Sequence, residues 1–143
     1  MYRVDITARG DSAFNVKTKG AECRIDPKGT SGITPPDALL ASLGSCIGVY
    51  LMKYAEGSKL LINEFTVSVE GDIGRESPFF FRKIDVSVSV KSPGLDDRRI
   101  KAIMDFVQNC PVHNTFRNRP EISVSIERLY RLLSKIGWPD LLS

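Results

Sequence analysis

Metal-ligating residues are scarce in this sequence: 143 residues hold one histidine and three cysteines, and no Cys-x-x-Cys or His-x-x-x-His spacing sets them in a zinc-type pattern. Charge of one sign is equally short. Twenty basic and 17 acidic residues are interleaved to a net charge of +3, leaving no basic stripe that would advertise nucleic acid or a membrane surface. No run approaches the ~18 continuous apolar residues of a spanning helix. Met1-Tyr2-Arg3-Val4-Asp5 lacks the apolar stretch of a signal peptide, so a cytoplasmic protein is expected. Repeats and low-complexity tracts are missing as well. What remains, with 42% of 143 residues hydrophobic, is the balance of a single globular domain.

An odd number of cysteines without an export signal argues against a disulfide framework, so Cys23, Cys46 and Cys110 are read as thiols. In the cytosol a disulfide between any two of them is expected to be transient and catalytic rather than architectural.

Period-two alternation governs the start of the chain. Tyr2, Val4 and Ile6, then Phe14 and Val16, then Cys23 and Ile25 read as short strands of a small antiparallel sheet, with turns at Gly10-Asp11 and Gly20. Residues 26–32 are turn-forming throughout and are expected to be a loop. At Thr34-Pro35-Pro36-Asp37 a cap, a proline at the first helical position and an acid three residues after the cap coincide, so a helix starts there. From Ala38 to Tyr54 it is apolar nearly all round, which predicts burial on most faces, with Gly57 as its stop.

Two alternating runs follow, Phe65/Val67/Val69 and Ile84/Val86/Val88/Val90, expected as half-buried antiparallel strands. Phe79-Phe80-Phe81 cannot all face one side of a strand, so at least one needs a second apolar environment, such as a subunit interface. A second helix is predicted from about Asp96 to Cys110-Pro111, then a last strand at Ile122, Val124 and Ile126, then an amphipathic helix through Leu129, Leu132, Leu133 and Ile136. The order gives an α+β fold with helices on antiparallel sheet, and a helix this apolar in so short a chain calls for dimerisation.

Local context leaves the chemistry open. Cys46, in Leu43-Gly44-Ser45-Cys46-Ile47, has small neighbours that suit either close packing or access of a substrate to sulfur. Pro111 makes Cys110 the cap of a short helix from Pro111 to about Phe116, where the dipole favours a thiolate; His113, three residues on, adds to this as an imidazolium or is an ordinary loop residue. Cys46, Cys110 and His113 could also form a Cys2His metal set, although the spacing lacks a zinc signature.

Thr34-Pro35-Pro36-Asp37-Ala38-Leu39-Leu40-Ala41-Ser42-Leu43-Gly44-Ser45-Cys46, followed by Cys110-Pro111-Val112-His113-Asn114-Thr115, resembles the OsmC/Ohr family over roughly residues 1–127. The resemblance implies antiparallel sheets around a buried central helix, an intertwined homodimer and reduction of organic hydroperoxides by two cysteines, without a cofactor or bound metal. It makes Cys46 the peroxidatic thiolate and Cys110 the residue that resolves its sulfenic acid as a disulfide, which a dithiol then reduces. The capping argument favours Cys110 as the more acidic thiol, whereas the motif order gives the attack to Cys46. The family also sets a carboxylate and an arginine beside the reactive sulfur. Asp37 matches the first, although it is shorter than the usual Glu and also suits a helix cap. Arg9, in Arg9-Gly10-Asp11, matches the second, with Arg24 as competitor. Residues 128–143 extend the single domain beyond the usual end of the family. A non-catalytic, stress-associated or small-ligand-binding module on the same fold is the alternative.

Overall fold

A computed structural model describes residues 1–8 and 12–127 of the chain. The expected C-terminal helix, the extension 128–143, and Arg9-Gly10-Asp11 lie outside the described residues. Eight elements follow in order: β1 (Asp5–Thr7), β2 (Phe14–Lys17), β3 (Glu22–Ile25), α1 (Pro35–Ser58), β4 (Glu64–Ile73), β5 (Phe81–Lys91), α2 (Asp97–Val107) and α3 (Pro111–Asn118). The fold is α+β, with two antiparallel sheets, β1-β2-β3 and β4-β5.

The α1 start follows the expected chemistry. Thr34 accepts the Asp37 N–H while the Asp37 carboxylate accepts from the Thr34 N–H and hydroxyl, a reciprocal box with proline in the first turn. The helix ends at Ser58, with Lys59 left-handed at the cap (φ 54). At 24 residues α1 is long and apolar enough to cross a membrane by length and composition, which corrects the expectation that no run approaches that limit. Its packing against β4, α2 and α3 makes it instead the central helix of this fold.

α1 runs antiparallel along β4. Leu40, Gly44 and Gly48, one turn apart, lie against Gly71, Val69 with Val67, and Phe65. A neighbouring stripe buries Leu43, Ile47 and Leu51. Leu51, Leu60 and Ile103 form the core, ringed by Tyr54, Ile62, Phe65, Val90, Leu95 and Val107. The third side is open, with Val49 and Met52 exposed, and Leu39 near the helix start is exposed as well. Burial on most faces, as the sequence led us to expect, is therefore not reached among the described residues, which supply too few elements to surround so apolar a helix.

β4 and β5 pair from Glu64↔Lys91 to Ile73↔Phe81, setting Phe65, Val67 and Val69 opposite Val90, Val88 and Val86, with a register shift at Asp72/Ile73. Of the phenylalanine triplet, Phe81 is half-buried and Phe79 and Phe80 are exposed. The expected last strand does not form. Ile122, Val124 and Ile126 are 81%, 84% and 94% exposed and carry no ladder, because an alternating segment becomes a strand only when another strand lies beside it, and none does among the described residues.

Between β3 and α1 the expected loop is tied by one carboxylate. Asp26 accepts the Lys28, Thr30 and Ser31 N–H groups at 2.9, 3.2 and 2.9 Å and the Thr30 and Ser31 hydroxyls at 2.7 and 3.0 Å. These donors hold the Asp26 carboxyl well below the usual carboxylate range, the Lys28 N–H contributing most.

Candidate functional site

Two local rules bring the cysteines together. Cys46 lies mid-way along α1, near the stripe that faces α2 and α3, and is half-buried. α2 ends at Val107, whose carbonyl accepts the Cys110 N–H at 3.2 Å, and Pro111 then starts α3 with Cys110 as its cap. The Cys110 side chain is fully buried, at 0% exposure. Its Sγ accepts the His113 N–H at 3.4 Å, one of the donors that a helix start leaves unpaired. Cys46 and Cys110, 64 positions apart in sequence, form a disulfide with Cα atoms 6.1 Å apart.

Nothing else on α1 competes for the sulfur. The hydroxyls of Ser42 and Ser45 turn back to the helix, donating at 2.7 Å to the carbonyls of Leu39 and Ala41. One turn beyond Cys46, Tyr50 packs on Phe106 with ring centroids 5.7 Å apart, and Lys53 Nζ lies 4.9 Å from the Tyr50 ring centroid. Tyr50 and Lys53 went unread as part of this face. Their spacing of four and seven residues from Cys46 was the available signal, masked by a helix that reads as apolar all round.

His113 contacts Cys110 through its backbone N–H rather than its ring. Its side chain lines an apolar cavity of about 400 Å³ with Leu43, Ile47, Val86, Met104 and Arg117. Arg117, one turn after His113, is a second residue that the sequence reading did not single out.

The remaining candidates stand apart. Asp37 is spent on the helix cap. It lies nine positions before Cys46, so an ideal helix puts the two about 13 Å apart along the axis and on opposite sides. Within one chain the expected carboxylate and the sulfur thus lie on opposite sides of α1. Arg9 lies outside the described residues. Arg24, its competitor, donates from Nε to Ser31 Oγ at 3.1 Å, in the loop that precedes α1. Cys23 is an exposed free thiol on β3, opposite Val16. As for the Cys2His alternative, its two sulfurs are bonded to each other, and no group of three His, Cys, Asp or Glu residues is placed to hold a metal among the described residues.

Comparison with known proteins gives the family and the fold. A family model described as OsmC-like protein matches residues 27–125. The fold superposes on an OsmC-like protein from Mycoplasma pneumoniae with a TM-score of 0.76, at 25% identity over 83% of this chain and 89% of that one. It is also similar to an organic hydroperoxide resistance protein from Elizabethkingia anophelis, with a TM-score of 0.57, 23% identity and coverage of 83% and 91%. A third likeness is to the organic hydroperoxide resistance protein OhrB of Bacillus subtilis, with a TM-score of 0.56, 21% identity and coverage of 82% and 92%. No curated protein matches the chain.

Proposed function

Because the chain belongs to the OsmC-like family, we propose that it reduces organic hydroperoxides with two cysteines, Cys46 attacking the peroxide and Cys110 resolving the product. One observation carries the reading: Cys46 and Cys110 are joined across α1 and the start of α3, the first half-buried and the second at 0% exposure. A peroxide reaches the partly open sulfur. A buried thiol 6.1 Å away at the Cα level is placed to trap what forms there before a second peroxide does.

Atoms and electrons balance over two steps. The Cys46 thiolate attacks one peroxide oxygen, the O–O bond breaks, and the alkoxide takes a proton and leaves as alcohol, with sulfur now a sulfenic acid. Cys110 then attacks that sulfur, the hydroxyl leaves as water, and the disulfide forms. Two electrons have passed from two thiols to one peroxide. An external dithiol restores the thiols.

The partner in assembly is a second copy of the chain. Exposed Leu39, Val49 and Met52 on the apolar central helix, together with exposed Val4, Ile6, Ile122, Val124 and Ile126, support a homodimer that covers them.

The test counts thiols in a Cys23→Ser background, which removes the exposed bystander. After one equivalent of cumene hydroperoxide, two thiols per chain are expected to be lost, and Cys46→Ser abolishes the loss. Unchanged thiols in the parent would sink the reading and leave the small-ligand-binding alternative.

A further inference from the structure

From the same pair, and with the peroxidase reading supplying only its purpose, we infer that the reducing dithiol attacks Cys46 and that Cys110 is the thiolate that departs. Thiol–disulfide exchange requires the attacking thiolate to approach in line with the S–S bond, from behind the sulfur it strikes. Cys46 is half-buried and keeps part of its surface open to an incoming thiolate. Behind Cys110 there is no entry, since that residue has 0% exposure.

The leaving side is equally one-sided. As the S–S bond breaks, its electron pair goes to Cys110 Sγ, which already accepts the His113 N–H at 3.4 Å and caps the positive end of the eight-residue helix α3. Cys46, in the middle of α1, has no free backbone N–H of this kind, because every one there is spent within the helix. An exchange reaction runs faster through the less basic leaving thiolate. Access and leaving-group stability therefore select the same sulfur.

The first reductant thiolate forms a bond to Cys46 Sγ and expels Cys110 as thiolate. The second reductant thiol loses its proton and attacks the mixed disulfide at the reductant sulfur, releasing Cys46 and leaving the reductant oxidised. This also gives the N–H donor at Cys110 Sγ a task other than attack on peroxide. His113 acts through its backbone as a positioning residue.

Oxidation by diamide makes the disulfide without peroxide, so the experiment is independent of hydroperoxide activity. The Cys23→Ser chain, oxidised in this way, is treated briefly with excess 2-mercaptoethanol, quenched in acid, alkylated and mapped by peptide mass. The mixed disulfide is expected on Cys46, with Cys110 alkylated; a mixed disulfide on Cys110, or a bond that does not exchange, overturns the inference. His113→Pro removes the N–H donor without breaking an intrahelical bond, since the N–H groups of the first turn have no intrahelical partner, although it disfavours the helical conformation of Val112. It is expected to slow the exchange about tenfold. With Cys110 as the one thiol, in a Cys23→Ser, Cys46→Ser chain, the ultraviolet thiolate absorbance is expected to move to higher pH on His113→Pro, and an unmoved profile overturns the role of the cap. The peptide map stands by itself if that variant does not fold.

Discussion

Val69 Cγ2 stands 2.9 Å from the point that a Cβ on Gly44 would occupy, so the approach of α1 to β4 is set by a hydrogen atom. Gly48 repeats the arrangement one turn later against the Phe65 ring, at 3.3 Å. The two glycines let the backbone of the helix that carries Cys46 lie directly on the sheet.

Gly44→Ala sets two effects against each other. Alanine in a helix interior gains about 1 kcal/mol over glycine. Overpacking against Val69, a β-branched side chain with little rotamer freedom, costs about 1–3 kcal/mol. Net destabilisation of about 1 kcal/mol is expected in urea denaturation. Adding Val69→Ala opens the contact, so the double variant is expected to lose less than the sum of the two single losses.

Asp37 decides between a cap and a catalytic carboxylate. Its side chain accepts the Thr34 hydroxyl at 2.6 Å and its place on α1 is far round from Cys46. Asp37→Ala is therefore expected to cost about 1 kcal/mol of stability through the lost capping box. Peroxide-dependent thiol loss, measured well below the melting temperature, is expected to keep its rate. A large fall in that rate with stability unchanged would show that the carboxylate serves the chemistry.

Features settled within a few residues were legible in the sequence. Thr34, Pro35 and Asp37 place the start of α1 because each satisfies or spares a backbone N–H of the first turn. Pro111 makes Cys110 a cap for the same local reason. Features that depend on a distant neighbour were not. The Ile122, Val124, Ile126 alternation specifies a strand only if another strand accepts it, and the burial of α1 depends on how many surfaces the rest of the chain can bring to it. Neither is encoded at the position itself. The nearness of Cys46 to Cys110 falls between the two: the motif pairing implied it, whereas spacing alone left each cysteine a packing residue or a helix stop. In the sequence Asp26 is one turn former among many, because nothing in residues 26–32 announces that a single carboxylate gathers five donors.

Those five donors fix a pH dependence. The folded chain holds the Asp26 carboxyl well below its ordinary value, while the unfolded chain titrates near about 3.9. As pH falls the unfolded state takes up the proton first, so the contribution of Asp26 is complete above about pH 5 and is lost progressively below about pH 4. Asp26→Asn is expected to lower stability at neutral pH and to flatten its decline in acid. Urea midpoints collected from neutral pH into the acid range check this, and parallel curves for the two proteins would remove Asp26 as the cause.

The open stripe of α1 makes a separate prediction about assembly. Val49 and Met52 are exposed on the helix that forms the centre of the fold, and a charge placed there must be desolvated if a second copy covers it. Sedimentation of the parent chain is expected to give the mass of two chains. Met52→Glu is expected to shift it toward one, with the far-UV spectrum of the helices retained. A parent chain that sediments as a monomer at all concentrations removes the dimer.

Separating Cys110 from Cys46 shows what the buried thiol contributes. In a Cys23→Ser, Cys110→Ser chain, Cys46 still meets peroxide but its sulfenic acid has no thiol within reach. One equivalent of cumene hydroperoxide is expected to convert Cys46 to a sulfenic acid that dimedone captures. Further equivalents are expected to drive it to sulfinic and sulfonic acids, seen as stepwise oxygen additions by intact mass. With Cys110 present the same excess is expected to stop at the disulfide, because attack by a thiol already on the adjoining helix outruns a second bimolecular collision with peroxide. Equal over-oxidation with and without Cys110 would mean that the disulfide forms too slowly to protect Cys46, and its place in the catalytic cycle would be lost.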